Sequence, residues 1–123
     1  MENTRETTQL PATQLPTAVT AFVDGWQAHD RAKVKALFAK DATVSDEGRT
    51  HRGQDEIDSW VDETIDLFST TVTFLGARKD DEMVGASYRI EGDFPGGVVE
   101  LEYQFRLNDD GRIVALDFAS AAV

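Results

Sequence analysis

The sequence predicts a single α+β domain in which helices precede an antiparallel sheet. Apolar residues recur at helical spacing through most of the first half of the chain, up to about residue 68. From Ser69 the apolar period changes to two, which is typical of strands. Short segments rich in Asp, Asn, Gly and Pro separate the strand-like runs, as in tight hairpin turns. Helices packed on one face of this sheet would cover its apolar side chains.

Composition sets the limits for function. The chain has 123 residues, no cysteine and a formal charge of −11. This length corresponds to one domain, and the negative charge disfavours nucleic acid and anionic membranes as partners. The missing cysteines exclude disulfides and thiolate chemistry. No apolar run approaches the roughly 20 residues of a membrane-spanning helix, so we expect a soluble protein, and the missing cysteines fit a cytoplasmic one.

Residues 1–15 are rich in Thr, Gln and Glu and contain no apolar run. This composition predicts a mobile N-terminal tail, followed by one domain over 16–123. A first helix is expected from Pro16 and Thr17, and Asp30 can cap a second helix after a short connection. The apolar positions of these two helices are Val19, Phe22, Val23 and Trp26, then Val34, Leu37 and Phe38.

The segment 41–54 joins the helical half of the chain to the strand-rich half. Ala42, Val44 and Asp46 alternate, so a short strand here would direct all three side chains to one face. A carboxylate at the end of such a row would face the core or a cavity, where reduced hydration makes it a better base. Asp46 is therefore the best catalytic candidate.

A third helix is expected after Gly53, with Asp55 and Glu56 complementing its positive end. Four strands follow at 71–75, 83–90, 98–107 and 113–118. The third of these strands alternates most clearly between apolar and polar side chains. Its apolar face carries Val99, Leu101, Tyr103, Phe105 and Leu107, and its polar face carries Glu100, Glu102, Gln104 and Arg106.

Three segments in this order resemble the nuclear transport factor 2-like superfamily, and within it the SnoaL-like and ketosteroid-isomerase-like proteins. They are FAKDATVSD at 38–46, RGQDEI at 52–57 and RLNDDGRI at 106–113. The resemblance covers about residues 16–120. It implies a cone-shaped fold of three helices on a strongly bent, mainly antiparallel sheet that encloses a pocket. It also implies a homodimer formed through the outer sheet face.

The resemblance assigns roles to individual residues. In ketosteroid isomerases the Asp at the place of Asp46 is the general base, and two further side chains donate hydrogen bonds to the enolate oxygen. Those two positions correspond to Phe22 and Tyr103, and phenylalanine cannot donate. We therefore expect Asp46 as base and Tyr103 as a single donor. The other residues expected to line the pocket are Phe22, Trp26, Val44, Trp60, Leu101, Phe105, Leu116 and Phe118.

Each candidate also has a simpler explanation. Asp46 could be a turn residue bonded to its own backbone, and Tyr103 could be a core tyrosine. His51 follows the Asp46 loop and could approach its carboxylate, although a solvated loop histidine flanked by Arg49 and Arg52 is the favoured explanation. His29 beside Asp30 is explained by capping or exposure. Two histidines far apart in sequence do not predict a metal site.

Two functions from different classes fit these residues. The first is a cofactor-free isomerase or cyclase that transfers a proton beside a carbonyl in a small hydrophobic molecule. The second is a non-catalytic module that only binds such a molecule in the apolar pocket. No cofactor or metal is expected for either function.

Overall fold

The computed structural model describes residues 8–121, which form helices packed over one side of a sheet. The helices are α1 (Thr17–Gln27), α2 (Arg31–Lys35) and α3 (Gly53–Thr64), with a short 3-10 turn at Ala12–Gln14. The strands are β1 (Thr8–Leu10), β2 (Phe38–Asp46), β3 (Arg49–Arg52), β4 (Thr70–Asp80), β5 (Met83–Gly92), β6 (Val98–Leu107) and β7 (Ile113–Ser120). None of the helices in this range is long and apolar enough to cross a membrane.

The seven strands of the described residues form one sheet in the order β1-β4-β5-β6-β7-β2-β3. All neighbouring strands are antiparallel except β2 and β7, which are parallel. The predicted α+β domain with a mainly antiparallel sheet is confirmed. Its core lies between the helices and the inner sheet face, and its largest fully buried side chains include Phe22, Phe105, Ile57, Ile65, Ile113 and Leu116.

The second helix is shorter than the apolar pattern suggests. Asp30 caps it as predicted, because its Oδ1 accepts a hydrogen bond from the Lys33 N–H at 3.1 Å. The helix ends at Lys35, and Phe38 begins β2 instead of continuing the helix. The cause is tertiary: the Ile113 N–H donates to the Leu37 carbonyl at 2.9 Å, so β7 binds the chain where the helix would have continued.

The chain from Phe38 to Arg52 forms a β-hairpin whose second strand, β3, was not predicted. Asp46 pairs with Arg49, and the turn between them consists of Glu47 and Gly48. Both turn residues have positive φ, 53° and 79°, as the tightest two-residue hairpins require. Asp46 is therefore the last residue of β2 and not a residue of the turn.

The N-terminal segment differs from the mobile tail predicted for residues 1–15. Thr8, Gln9 and Leu10 pair with Lys79, Arg78 and Ala77 of β4, which adds β1 to the edge of the sheet. Leu10 and Leu15 also pack against the core, so this segment gains both ladder hydrogen bonds and apolar contacts. Residues 1–7 of the predicted tail lie outside the described residues.

An ion pair crosses the outer face of the sheet above Gly85. Arg78 of β4 donates from Nε and Nη2 to the two carboxylate oxygens of Glu102 on β6, at 2.7 and 3.0 Å. The strand between them, β5, must therefore carry a very small side chain at this point. A Cβ added to Gly85 would overlap Glu102 Oε2, so glycine leaves the space for the pair.

We expect this pair to make stability depend on pH at the acid end. Its hydrogen bond from Arg78 lowers the pKa of Glu102 below the usual 4.5, so the folded protein holds this proton less tightly than the unfolded chain. The stabilisation from this pair is complete above about pH 5. It declines as the pH falls through the pKa of the unfolded chain and is lost below the pKa of the folded protein. Denaturant unfolding of wild type and Glu102→Gln should therefore differ at pH 7 and converge at low pH. A difference independent of pH would contradict the assignment.

Candidate functional site

A cavity of about 420 Å³ lies between α1, α3 and the inner face of the sheet. Most of its wall is aromatic or aliphatic, and this volume is within the usual range for small-molecule sites. The polar or charged side chains at its wall are Gln27, Asp46, Glu47, Thr64, Thr70 and Tyr103, together with the indoles of Trp26 and Trp60.

Asp46 lies at the cavity wall because β2 alternates as predicted. Ala42 and Val44 on the same face are fully buried, and Asp46 follows them where the strand reaches the cavity. The indole N–H of Trp60 on α3 donates to Asp46 Oδ2 at 3.1 Å. This hydrogen bond holds the carboxylate in place through Oδ2 and leaves Oδ1 outside this contact.

Tyr103 lies on β6 at the same cavity wall. Its ring contacts Phe118, Tyr88 and Phe22, with centroid distances of 4.9, 5.1 and 6.1 Å. Burial raises the pKa of Tyr103 well above its usual 10.0, and the nearby Tyr88 and Asp46 groups add to the effect. The phenol therefore stays protonated and can donate a hydrogen bond to a ligand oxygen.

Phe22 lies on α1 next to both of these features and is only 2% exposed. Its ring packs against Trp26 and Tyr103, with centroid distances of 5.5 and 6.1 Å. Phenylalanine supplies packing and no donor, so Tyr103 is the phenol that this part of the wall offers to a ligand.

The expected pocket residues divide into two groups. Phe22, Trp26, Trp60, Leu101 and Phe118 line the cavity, as do Asp46 and Tyr103. The other three expected residues, Val44, Phe105 and Leu116, lie in the core instead and are at most 1% exposed. They share strand faces with true wall residues but lie where the helices close onto the sheet.

Sequence reasoning missed a polar pair at the cavity wall. Gln27 Nε2 at the end of α1 donates to the backbone carbonyl of Thr70 at 2.6 Å and to its Oγ1 at 3.1 Å. Thr64 on α3 also lines the cavity, and its hydroxyl donates to the Trp60 carbonyl at 2.5 Å. Gln27 and Thr70 are 43 positions apart, so no local pattern could have paired them.

The cavity opens beside two loops that carry exposed apolar side chains. Phe68 follows α3 and packs edge to face on Phe94 of the β5–β6 turn, with a centroid distance of 5.7 Å. The Ser69 N–H donates to Asp93 Oδ1 at 2.9 Å and joins the same two loops. The helical spacing extends to about residue 68, but α3 ends at Thr64, and Leu67 and Phe68 are 59% and 41% exposed at this opening.

Neither histidine lines the cavity. The His51 ring on β3 lies against the indole of Trp60, with a centroid distance of 6.1 Å. His29 Nδ1 bonds to Asp66 Oδ1 at 2.8 Å on the exposed side of the helices. Within residues 8–121, no three His, Asp or Glu side chains are grouped closely enough to hold a metal ion.

Comparison with known proteins agrees with this architecture. A sequence model of the SnoaL-like domain matches residues 19–116. Among solved structures, a proposed polyketide cyclase from Sinorhizobium meliloti is 30% identical, with a TM-score of 0.80 over 89% of this chain and 100% of its own. No curated protein sequence gives a significant match.

Two more distant structures share the fold. A protein from Catenulispora acidiphila with a ketosteroid isomerase-like fold, in complex with trimethylamine, is 23% identical with a TM-score of 0.75 over 88% of each chain. A protein from Mycobacterium tuberculosis in complex with estradiol-17β-hemisuccinate is 21% identical with a TM-score of 0.70, over 85% of this chain and 91% of its own. These similarities confirm the cone-shaped nuclear transport factor 2-like fold.

Proposed function

This chain belongs to the SnoaL-like family, and on that basis we propose that its cavity binds a small, mainly apolar carbonyl compound and that Asp46 transfers a proton beside the carbonyl. The observation that carries the proposal is that Asp46 and Tyr103 lie at the wall of one cavity. Enolisation requires a base that takes the proton and a donor of a hydrogen bond to the carbonyl oxygen, and both groups must contact the same ligand.

The proposed reaction needs no cofactor. Asp46 Oδ1 takes a proton from the carbon next to the carbonyl, and the electron pair of that C–H bond moves to the carbonyl oxygen as the enolate forms. Tyr103 donates a hydrogen bond to this oxygen and stabilises its negative charge. Return of the proton to a different carbon completes an isomerisation. In a cyclisation the enolate carbon instead attacks a second carbonyl of the same molecule, and the alkoxide that forms takes the proton back from Asp46.

The two neighbours bound to small molecules support the binding part of the proposal, since trimethylamine and a steroid ester both occupy proteins of this fold. The similarity to a proposed polyketide cyclase supports the cyclase form of the reaction over the steroid isomerase form. Phe22 also favours the cyclase form, because this wall offers one phenol donor where ketosteroid isomerases have two donors.

A binding module without catalysis is the second candidate. The observation that favours it is the hydrogen bond from Trp60 to Asp46 Oδ2, since a carboxylate that accepts this bond is also a suitable fixed anchor for a ligand. The expected homodimer through the outer sheet face stays a prediction for either function. Sedimentation equilibrium would test it directly.

The catalytic proposal can be tested without the natural substrate. The measurement follows the bicyclic ketone 2-tetralone in D₂O by proton NMR. Its α-proton signals should disappear faster with the protein than without it. Tyr103→Phe should slow this catalysed exchange by about a hundredfold, because it removes the donor to the enolate oxygen and keeps the ring. Catalysed exchange at the wild-type rate in Tyr103→Phe would remove Tyr103 from the mechanism. If wild type gives no exchange with 2-tetralone or with smaller cyclic ketones, the binding module is the better assignment.

A further inference from the structure

Five aromatic rings at the cavity wall form a closed chain of contacts, which we call the aromatic cluster. Its members are Phe22, Trp26, Trp60, Phe118 and Tyr103. Successive centroid distances around this chain are 5.5, 5.1, 6.2, 4.9 and 6.1 Å. The faces of aromatic rings carry negative electrostatic potential, so a cluster of this kind attracts cations as well as apolar groups.

The charges at the cavity have the same sign. The ionisable acids at its wall are Asp46 and Glu47, and the lining residues in the described part of the chain include no Lys, Arg or His. Asp46 is bonded to Trp60, a member of the aromatic cluster. The whole chain carries a formal charge of −11, which adds a long-range field of the same sign.

We propose that this cavity selects an organic cation, an alkylated ammonium group attached to an apolar body, over neutral and anionic molecules of the same shape. The aromatic cluster replaces the weak hydration of the alkylated ammonium, and Asp46 is its counter-ion. A primary ammonium fits less well because it is strongly hydrated and loses more on leaving water than an alkylated ammonium does. The inference rests on the proposed function only for the position of the ligand and not for the reaction.

The test compares two probes of almost identical shape, phenyltrimethylammonium and tert-butylbenzene. Tryptophan fluorescence reads the site directly, because the two tryptophans of the chain are Trp26 and Trp60 and both belong to the aromatic cluster. We expect the cation to bind about tenfold more tightly than the neutral probe, the magnitude of a desolvated cation–π contact.

Two variants locate the charge effect. Asp46→Asn keeps the shape of the side chain and should weaken binding of the cation about tenfold, with binding of the neutral probe changed less than about twofold. Asp41→Asn is the matched control, since Asp41 is an exposed carboxylate on the same strand and does not line the cavity. It should leave both affinities unchanged. Trp26→Leu should weaken binding of the cation more than binding of the neutral probe.

Equal affinities for the two probes would overturn the proposal. Equal effects of Asp46→Asn and Asp41→Asn would also overturn it, because the affinity for the cation would then depend only on the net charge of the chain. Failure of both probes to bind would also overturn it. Near-ultraviolet circular dichroism shows whether each variant is folded. If Asp46→Asn does not fold, Trp26→Leu still tests the proposal. Exchange of the neutral 2-tetralone is measured separately, so loss of cation selectivity and loss of proton transfer are distinguishable.

Discussion

Asp46→Asn should lower the rate of catalysed α-proton exchange by roughly 10²–10⁴-fold, the usual contribution of a general base. Asparagine has the same shape as aspartate, but its amide does not accept a proton at neutral pH. The measurement is the wild-type and variant rate of 2-tetralone exchange in D₂O at equal protein concentration, each corrected for the uncatalysed rate.

This substitution should have little effect on the fold. The amide oxygen of asparagine can still accept the hydrogen bond that Trp60 Nε1 gives to Asp46 Oδ2. Asp46 is the last strand residue before the Glu47–Gly48 turn, and asparagine is compatible with both strand end and turn. Denaturant unfolding should therefore give similar midpoints for the variant and wild type.

Asp41→Asn is the control for this experiment too, because it removes one exposed carboxylate from the same strand. It should exchange 2-tetralone at the wild-type rate. If Asp46→Asn retains wild-type exchange while folded, Asp46 is not the base, and another group of the protein takes the proton.

Phe105→Ala should lower the free energy of unfolding by about 3–5 kcal/mol, the usual cost of truncating a fully buried phenylalanine. Phe105 is 0% exposed and packs against Phe22 and Tyr103, with centroid distances of 5.7 and 6.3 Å. The deletion would leave a space in the closed core that the surrounding sheet and helices can fill only in part. Equilibrium unfolding in urea measures the change in the free energy of unfolding, provided that the dependence of this free energy on urea concentration has the same slope in both proteins.

Phe68→Ala makes the same chemical deletion at an exposed site and is the matched control. Phe68 is 41% exposed at the cavity opening, so its loss should cost about 1 kcal/mol or less. A small effect of Phe105→Ala would mean that Phe105 belongs to the cavity wall, as the alternation of β6 first suggested. The two variants together therefore locate the boundary between closed core and cavity.

Particular residues show which features of the fold and the site local sequence patterns predict and which they do not. Alternation of Ala42, Val44 and Asp46 correctly predicted a strand with Asp46 at its end, because side chains of a strand point alternately to its two faces. The same alternation placed Tyr103 and Phe105 on one face of β6. It could not separate wall from core, since both lie on that face and only the position of the helices distinguishes them.

The elements that local patterns missed are those whose hydrogen bonds come from distant residues. β1 exists because residues 8–10 pair with β4, about 70 positions away in the chain. β2 starts at Phe38 because β7 binds it in parallel, which ends α2 early. Neither partner is visible from the composition of the segment itself.

By itself the sequence determined the α+β class, the three helices, the four long strands after them and Asp46 as the candidate base. These features follow from local periodicity, capping and turn residues, which operate over a few neighbouring positions. Only the tertiary structure decided that Trp60 holds Asp46, that Gln27 meets Thr70 and that five rings and two carboxylates share one cavity. Those contacts join different elements of the chain, so they depend on how the helices pack on the sheet, which local patterns do not specify.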